Sequence, residues 1–378
     1  RQVLFVSTIL GKHLNVAPST LLAAGMALGA RVEAALAGTD PTVDEARLRR
    51  AVAGEIPTVD DVAPRPEAVV GATVVGFAET ATALGHAVRR RLGPGPLTHT
   101  TRRPTGEPIV RCVEAHSHAT EHELHHDDPT FLADDDPVVI VDDEMTTGST
   151  ALGLVEAIHA HHPHDRYVLA SLVDWRGDDD QRRVDEVADR LGARIDAVSL
   201  LAAGAAVGDG GPLPATVELA SPTRLPRVTT TVVEIGPPTA RSGWSVAHQR
   251  TVDERVAEAV VPLRERRRGA GALVLGTEEL MYVPALVGLH LGDGVVTRST
   301  TRSPVVAVDV DGYPIVDRAT FPSLDGLAGD RHLYGLGPDA DAGVDDVVLV
   351  ADVPVPSDHP LIAYLGTITD HVDVLELR

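Results

Sequence analysis

Two adjacent carboxylates and a run of hydroxyl-bearing residues lie close together within Val138–Thr150, whose sequence is VVIVDDEMTTGST. Asp142 and Asp143 follow four apolar residues, and acids at such a strand end can accept hydrogen bonds from vicinal ribose hydroxyls and orient Mg²⁺ through water. A turn with backbone N–H groups at a helix N-terminus binds phosphate, and hydroxyl side chains add donors. The pattern therefore predicts a site for a phosphorylated sugar. Its predicted phosphate-binding residues are Thr146, Thr147, Gly148, Ser149 and Thr150.

All thirteen residues of this stretch resemble the phosphoribosyl pyrophosphate (PRPP) motif of the type I phosphoribosyltransferases. The resemblance implies that Asp142 and Asp143 hold the ribose 2- and 3-hydroxyls and that residues 146–150 hold the 5-phosphate. Mg²⁺, bound by the same two aspartates mainly through water, is the implied cofactor. In this family the pyrophosphate loop follows the first core strand. That loop corresponds here to Gly76, Phe77, Ala78, Glu79, Thr80 and Ala81.

The mobile catalytic loop of the family corresponds to Thr98–Thr130. Arg102 and Arg103 lie at its base, and a guanidinium can fork onto two pyrophosphate oxygens. The implied reaction is displacement of pyrophosphate from the anomeric carbon by a base nitrogen, with Mg²⁺ and arginine stabilising the leaving group. A dedicated general base is optional in this scheme. The candidates within the loop are Glu114, His116 and His118.

Contacts to the accepting base are expected from two further places. The N-terminal part forms a hood over the base in this fold, so Lys12 and His13 are candidates to contact the base or the pyrophosphate. The alternative for both is a solvated turn. Trp175 follows an apolar strand, where type I enzymes often stack an aromatic on the base, since stacking needs only a π-face. The alternative for Trp175 is a rim aromatic that caps the core.

A closer resemblance depends on four further stretches. They are VLFVSTILGKH at 3–13, GFAETATALG at 76–85, HSHA at 116–119 and STTRSP at 299–304. Together they resemble the bacterial orotate-phosphoribosyltransferase-like proteins with a C-terminal TRSP domain, which are found with tellurite-resistance and stress gene clusters. Ordinary orotate enzymes carry a lysine in the mobile loop, and this loop contains none. The identity of the accepting base therefore stays open.

The elements that position these residues alternate between strand and helix patterns. Such alternation predicts an α/β fold with a parallel sheet flanked by helices, as the type I phosphoribosyltransferases have. The segment from His99 to Asp136 is polar and is predicted to be mostly loop. Strands are predicted at Val3–Val6, Ala68–Gly76, Leu97–Arg102, Pro137–Val141 and Tyr167–Val173, and helices at Ser19–Gly38, Thr80–Leu92 and Ser149–His162.

The second half of the chain repeats the first at an offset of 200 residues. Thr100-Thr101-Arg102 matches Thr300-Thr301-Arg302, and Glu79 matches Glu279. We infer two related α/β domains, a phosphoribosyltransferase domain at 1–205 and a TRSP domain at 231–378, joined by a linker at 206–230. The second domain is degenerate, because Ala351-Asp352 replaces the acid pair.

Two roles are open for this degenerate domain. It could retain an anion or nucleotide site, or it could complete the active site of the first domain. Type I enzymes commonly pair as dimers, so a homodimer or an internal pseudo-dimer is expected. The candidate residues for a retained anion site are Glu278, Glu279, Arg298 and Arg302.

Charge and composition exclude several classes of function. The chain has 378 residues, with 33 basic and 55 acidic ones, and its net charge of −22 argues against non-specific binding to nucleic acid or an anionic membrane. The single cysteine, Cys112, excludes an internal disulfide and a zinc site of several cysteines, and favours a cytoplasmic protein. No apolar stretch long enough to predict a membrane span occurs. Because the chain starts at Arg1, we read it as a segment of a longer protein.

The leading interpretation is an Mg²⁺-dependent phosphoribosyltransferase that joins a nitrogen base or a related nucleophile to PRPP, in nucleotide biosynthesis or salvage. The first alternative is a non-catalytic protein that binds PRPP or a nucleotide and regulates a partner. The second alternative is nucleoside or nucleotide hydrolysis, which would not need a pyrophosphate loop. The length of the catalytic loop and the presence of the pyrophosphate loop favour the transferase.

Overall fold

A computed structural model of the chain describes residues 6–40, 45–53, 55, 69–103, 106–113, 121–204, 215–336 and 343–378. The helices are α1 (Pro18–Ala37), α2 (Glu45–Val52), α3 (Thr82–Leu92), α4 (Ser149–His161), α5 (Asp178–Leu191), α6 (Val246–Glu265), α7 (Tyr282–Leu291) and α8 (Pro360–Leu365). The strands of the first half are β1 (Thr73–Gly76), β2 (Leu97–His99), β3 (Val110–Val113), β4 (Glu121–Leu124), β5 (Val138–Met145), β6 (Arg166–Asp174) and β7 (Arg194–Ala202). Those of the second half are β8 (Arg227–Val233), β9 (Ala272–Gly276), β10 (Val295–Ser299), β11 (Arg318–Pro322), β12 (Asp330–Tyr334), β13 (Asp346–Ala351) and β14 (His371–Leu377).

The first sheet contains five parallel strands in the order β2-β1-β5-β6-β7. All four residues of β1 and the first four of β5 are buried, because helices cover both faces of such a sheet. Val75 pairs with Ile140, so the segments that follow these two strands leave the same edge of the sheet. That edge therefore carries both the predicted pyrophosphate loop and the predicted acid pair.

The second sheet has the order β10-β9-β13-β14-β8 and is also fully parallel. Four of its strands repeat the first sheet, whereas its edge strand β8 begins at Arg227, inside the segment predicted to be a linker. Leu275 pairs with Leu349 as Val75 pairs with Ile140, which puts Ala351 at the place of Asp142. The predicted fold class, an α/β domain followed by a related and degenerate one, is confirmed.

The polar segment from His99 to Asp136 is more ordered than predicted. It contains an antiparallel hairpin in which Arg111 of β3 pairs with Glu123 of β4. The second half has a hairpin at the same place in its order of elements, formed by β11 and β12. Most of the described residues of this segment lie outside strands, but the hairpin itself was not predicted, because its strands are short and carry charged residues and so lack the apolar alternation that indicates a strand.

Helix α1 is a core helix that packs along α3. A Cβ on Gly25 would lie 2.3 Å from the Cβ of Ala87, and one on Gly29 would lie 2.6 Å from the Cβ of Arg91. The two glycines therefore permit the close approach of the helices. Among the described residues, α1 is the one helix that is long and apolar enough to cross a membrane, and 72% of its most apolar window is buried inside the protein.

Two equivalent glutamates join the two domains in a reciprocal manner. Glu79 of the first domain accepts hydrogen bonds from Thr301 Oγ1 at 2.8 Å and from the backbone N–H of Arg302 at 3.4 Å. Glu279 of the second domain accepts from Thr101 Oγ1 at 2.9 Å and from the backbone N–H of Arg102 at 3.2 Å. Each domain therefore holds the Thr-Thr-Arg turn of the other, as the subunits of a twofold dimer would.

Glu279 is a fully buried charge whose neighbours keep it ionised. Burial alone would raise the pKa of its carboxyl, but the positive charge of Arg241 and the nearby His99 and Arg103 lower that pKa to about 2. Arg241 Nε lies 3.0 Å from a Glu279 oxygen. Removing this carboxylate would leave buried cations and donors without their acceptor.

We therefore expect Glu279→Ala to lower the free energy of unfolding by roughly 3–5 kcal/mol, the usual cost of breaking a buried ion pair. Urea denaturation of the full chain measures this loss. Glu258→Ala is the control, because Glu258 is 68% exposed beside Arg255, and it should cost less than roughly 1 kcal/mol. Equal losses for the two variants would contradict the role given to Glu279.

Candidate active site

The turn between β5 and α4 has the geometry of a phosphate cradle. Gly148 at its centre has a φ of +73°, a left-handed conformation that favours glycine. A Cβ there would also lie 3.2 Å from the side chain of Arg176. Thr147 Oγ1 and Ser149 Oγ are 2.9 Å apart, Thr147 Oγ1 accepts a hydrogen bond from the backbone N–H of Ser149 at 3.3 Å, and the N-cap residue Gly148 has no side chain to cap α4. The helix thus begins with hydroxyls and backbone N–H groups that an anion can bind.

The acid pair lies immediately before this turn, within β5. Asp142 Oδ1 accepts a hydrogen bond from the backbone N–H of Asp143 at 2.9 Å. Burial raises the pKa of Asp142 well above its ordinary value, and the negative charge of Asp143 raises it further. In the described part of the chain, no lysine or arginine forms an ion pair with either aspartate. A bound cation would offset both effects.

A cavity of about 550 Å³ joins the turn, the acid pair and the pyrophosphate loop. The N-terminal segment lines it with Ser7, Leu10, Lys12 and His13. The loop after β1 lines it with Phe77, Ala78, Glu79 and Thr80, and the start of the polar segment with Arg102 and His122. The stretch from Asp142 to Ala151 forms another wall, and the second domain contributes Arg302, Ser303 and Pro304.

Lys12 ties the N-terminal segment to the loop after β1. Its Nζ donates to Thr80 Oγ1 at 2.7 Å and lies 3.2 Å from Glu79 Oε2. The same segment is held by the second domain, because Val16 and Thr297 exchange two backbone hydrogen bonds. The ammonium group is therefore fixed on the cavity wall, and the prediction of Lys12 as a site residue stays a prediction with a defined location.

His13 is buried beside Lys12 and is kept neutral. Burial is the main cause that lowers the pKa of His13 to about 3, and Lys12 and His332 add to it. Its ring packs against Tyr334 with the centroids 5.5 Å apart. Among the described residues, Nε2 of His13 has no hydrogen-bond partner, although the side chain is only 8% exposed. A neutral imidazole on this wall can donate or accept one hydrogen bond.

The family comparison agrees with this geometry. The sequence profile of a phosphoribosyl transferase family matches residues 1–204, which is more than half of the chain. The chain belongs to this phosphoribosyl transferase family. The profile of a second domain, the TRSP domain that lies C-terminal to this transferase, matches residues 238–365. No curated protein matches the chain significantly.

Several solved structures are similar to this phosphoribosyl transferase. Adenine phosphoribosyl transferase from Trypanosoma brucei, in complex with AMP, pyrophosphate and ribose 5-phosphate, is 18% identical over 38% of this chain and 60% of its own, with a TM-score of 0.27. The match therefore spans less than two thirds of that protein. The enzyme from Giardia lamblia, complexed with 9-deazaadenine, is 16% identical over 37% of this chain and 73% of its own, with a TM-score of 0.26. A hypoxanthine phosphoribosyltransferase from Staphylococcus aureus is 10% identical over 52% and 79%, with a TM-score of 0.26.

The structure separates the two predicted pyrophosphate-binding arginines of the phosphoribosyl transferase. Arg102 lines the cavity, and its Nη2 lies 3.3 Å from Nε2 of His122. Arg103 is not among the residues that line the cavity. Its guanidinium is buried in the second domain, where the acceptors are Glu278 at 3.4 Å, Asp325 at 3.1 Å and Asp352 at 3.1 Å. Arg103 therefore joins the domains instead of facing the cavity.

Other predicted residues lie apart from the cavity. Gly76 ends β1 under the loop, where a Cβ would lie 3.1 Å from the carbonyl oxygen of Ala81. Trp175 follows β6 and its backbone N–H donates to Met145, but the described walls of the cavity do not include it. The three candidate bases, Glu114, His116 and His118, lie outside the described residues.

The residues predicted for an anion site in the second domain bind other groups of the protein. Arg298 donates to the backbone carbonyls of Tyr334 and Gly335. Glu278 lies 2.7 Å from Arg302 and 2.7 Å from Arg331. Of the residues predicted for that site, Arg302 is the one that the structure brings to the wall of the first-domain cavity.

The sequence prediction missed His122 as a cavity residue. Its Nδ1 lies 3.3 Å from Thr100 Oγ1, which also accepts the backbone N–H of Ala78 at 2.9 Å. His122 therefore contacts the support of the pyrophosphate loop as well as Arg102. It stands among many histidines in a polar segment, so no single-sequence signal distinguished it.

The neutral state of His13 leads to a pH prediction. Because burial lowers its pKa from 6.5 to about 3, its imidazole should stay unprotonated from pH 8 to pH 5 in the folded protein. NMR of ¹³C-histidine-labelled protein measures this, with the His13 signal assigned by its loss in His13→Gln. The signal should not move until the protein unfolds in acid. A midpoint near 6.5 would show that His13 is solvated.

Proposed function

We propose that the chain catalyses transfer of the 5-phosphoribosyl group from PRPP to a nitrogen nucleophile. The C1–O bond to pyrophosphate breaks, an N–C1 bond forms, and pyrophosphate leaves, while the nucleophile gives up a proton. The observation that carries this proposal is a cavity lined by the turn around Gly148, by the acid pair, and by the loop after β1 with Lys12 and Arg102 beside it. These three features match the three charged or polar parts of PRPP.

The phosphate turn and the acid pair would position the sugar. The turn around Gly148 would bind the 5-phosphate through backbone N–H groups and hydroxyls at the start of α4. Asp142 and Asp143, which precede it in β5, would accept hydrogen bonds from the ribose hydroxyls. This arrangement holds the anomeric carbon at a defined place between the turn and the pyrophosphate loop.

The residues also fit Mg²⁺ as a cofactor. Asp142 has a raised pKa beside Asp143, and neither has a positive side chain as a partner within the described residues. The described residues contain no group of three metal-binding side chains, so water and PRPP oxygens would supply most of the coordination, as Mg²⁺ commonly requires. When bound, Mg²⁺ would neutralise charge on the pyrophosphate.

The loop after β1 would bind the pyrophosphate. Lys12 is fixed to this loop through Thr80 and Glu79, and Arg102 lines the same cavity. Preorganised cations stabilise charge on a leaving group because they need no rearrangement during the reaction. His13 lines the same cavity, has one nitrogen without a hydrogen-bond partner among the described residues, and would contact the accepting nucleophile.

Calorimetric titration of the purified chain with PRPP and Mg²⁺ tests this function, followed by a pyrophosphate-release screen. The screen contains purine and pyrimidine bases and simpler nitrogen nucleophiles. Binding together with release that depends on one nucleophile is expected. Binding without any release would favour a regulatory protein that binds PRPP, and absence of binding would contradict the proposal.

The acid pair supplies a more specific prediction. Asp142→Asn combined with Asp143→Asn should weaken PRPP binding by roughly 100-fold or more, because charged hydrogen bonds to the ribose are lost. Thermal stability should stay the same or rise, since a buried like-charge pair is removed. Calorimetry and thermal melting measure the two effects.

The control is Asp134→Asn combined with Asp135→Asn. These two aspartates are exposed just before β5, at the opposite end of the strand from the cavity. The control changes the net charge by the same amount and should leave PRPP affinity unchanged. A similar loss in both double variants would contradict the assignment of the site.

A further inference from the structure

The second domain reaches the cavity of the first through its Thr-Thr-Arg turn. Thr301 Oγ1 and the backbone N–H of Arg302 both donate to Glu79, which is itself part of the pyrophosphate loop. Glu79 also contacts Lys12 at 3.2 Å. The turn is thus attached directly to the loop that the proposed function assigns to pyrophosphate, and its next residues, Ser303 and Pro304, line the same cavity.

Glu278 orients the side chain of Arg302 through one nitrogen of its guanidinium, and another nitrogen has no hydrogen-bond partner among the described residues. Its Nε lies 2.7 Å from Glu278 Oε2, and this ion pair fixes the position of the guanidinium. Its Nη2 is buried and has no hydrogen-bond partner in the described part of the chain. Glu278 is also paired with Arg103 and Arg331, so its charge does not depend on Arg302. The side chain of Arg302 lines the cavity and is 24% exposed, so part of its guanidinium faces the cavity while Glu278 holds Nε.

In the second domain, the position that corresponds to the acid pair is occupied by ion pairs. There Asp352 stands at the place of Asp143, and it pairs with Arg103 at 3.1 Å and with Arg241 at 3.3 Å. The site that would correspond to the acid pair is therefore filled by an arginine of the first domain. The described walls of the first-domain cavity therefore carry an arginine from each domain, Arg102 and Arg302.

We propose that Arg302 of the second domain binds the pyrophosphate group of PRPP in the cavity of the first domain. This inference rests on the proposed function and assigns to the second domain a part of the same site. The pyrophosphate carries several negative charges, whereas the charge of Lys12 is already balanced by Glu79. A guanidinium held by Glu278 supplies the forked donors that two phosphate oxygens accept.

The test compares two ligands in the full chain by calorimetry. PRPP with Mg²⁺ contains the pyrophosphate, whereas ribose 5-phosphate shares only the sugar and the 5-phosphate. Arg302→Gln should weaken PRPP binding roughly 10- to 100-fold and leave ribose 5-phosphate binding unchanged, because a charged hydrogen bond to pyrophosphate alone is lost. Arg302→Lys should recover part of the affinity, since it keeps the charge without the fork.

Arg91→Gln is the matched control. The side chain of Arg91 is 25% exposed against 24% for Arg302, it has Glu33 as a carboxylate partner at 2.5 Å, and it does not line the cavity. Neither ligand should bind this variant more weakly. If Arg302→Gln fails to fold, Arg302→Lys carries the comparison, because it keeps a cation opposite Glu278.

The outcomes separate this inference from the function on which it rests. If the unmodified chain binds neither ligand, the proposed function fails and the inference fails with it. If the unmodified chain binds both ligands and the Arg302 variants bind PRPP normally, the inference alone is overturned. An equal loss of both ligands also overturns it, because that pattern indicates a disturbed cavity instead of a lost pyrophosphate contact.

Discussion

The hydrogen bonds that Glu79 and Glu279 accept across the domain interface determine most of this structure. Each buried carboxylate receives a threonine hydroxyl and a backbone N–H from the turn of the other domain. Buried carboxylates need such donors, because an unpaired buried charge is strongly unfavourable. The two turns are consequently fixed at the ends of β2 and β10, beside the loops that follow β1 and β9. The cavity therefore depends on both domains for its shape.

The two halves have kept the same scaffold and diverged in their charges. In the first half, acids face an open cavity, and their burial raises the pKa of Asp142. In the second half, Asp352 is paired with Arg103 and Arg241. An acid that pairs with arginine is stable without a ligand, whereas an acid pair without a cation is stabilised by binding one. Sequence divergence at a few strand ends thus distinguishes a half whose acids line a cavity from a half whose acid is paired with arginine.

Much of the fold and part of the site followed from residue patterns alone. Apolar strands and helical periodicity predicted β5, α4 and the repeat, because a strand that is buried on both faces is a continuous run of apolar residues. The acid pair and the turn were recognisable because the whole motif is contiguous. The contacts of Arg103 could not be predicted, because its partners are three carboxylates far away in the sequence. The β3–β4 hairpin was missed because its strands are charged.

Strand β8 has a consequence for synthesis of the protein. All strands of the first sheet lie between residues 73 and 202, so neighbouring strands leave the ribosome within a short time of one another. In contrast, β8 begins at residue 227 and pairs with β14, which begins at residue 371. At typical translation rates of about 5–20 residues per second, β8 waits on the order of ten seconds for its partner. During that interval the edge of β8 that later pairs with β14 has no partner strand, and an unpaired strand edge can pair with another chain.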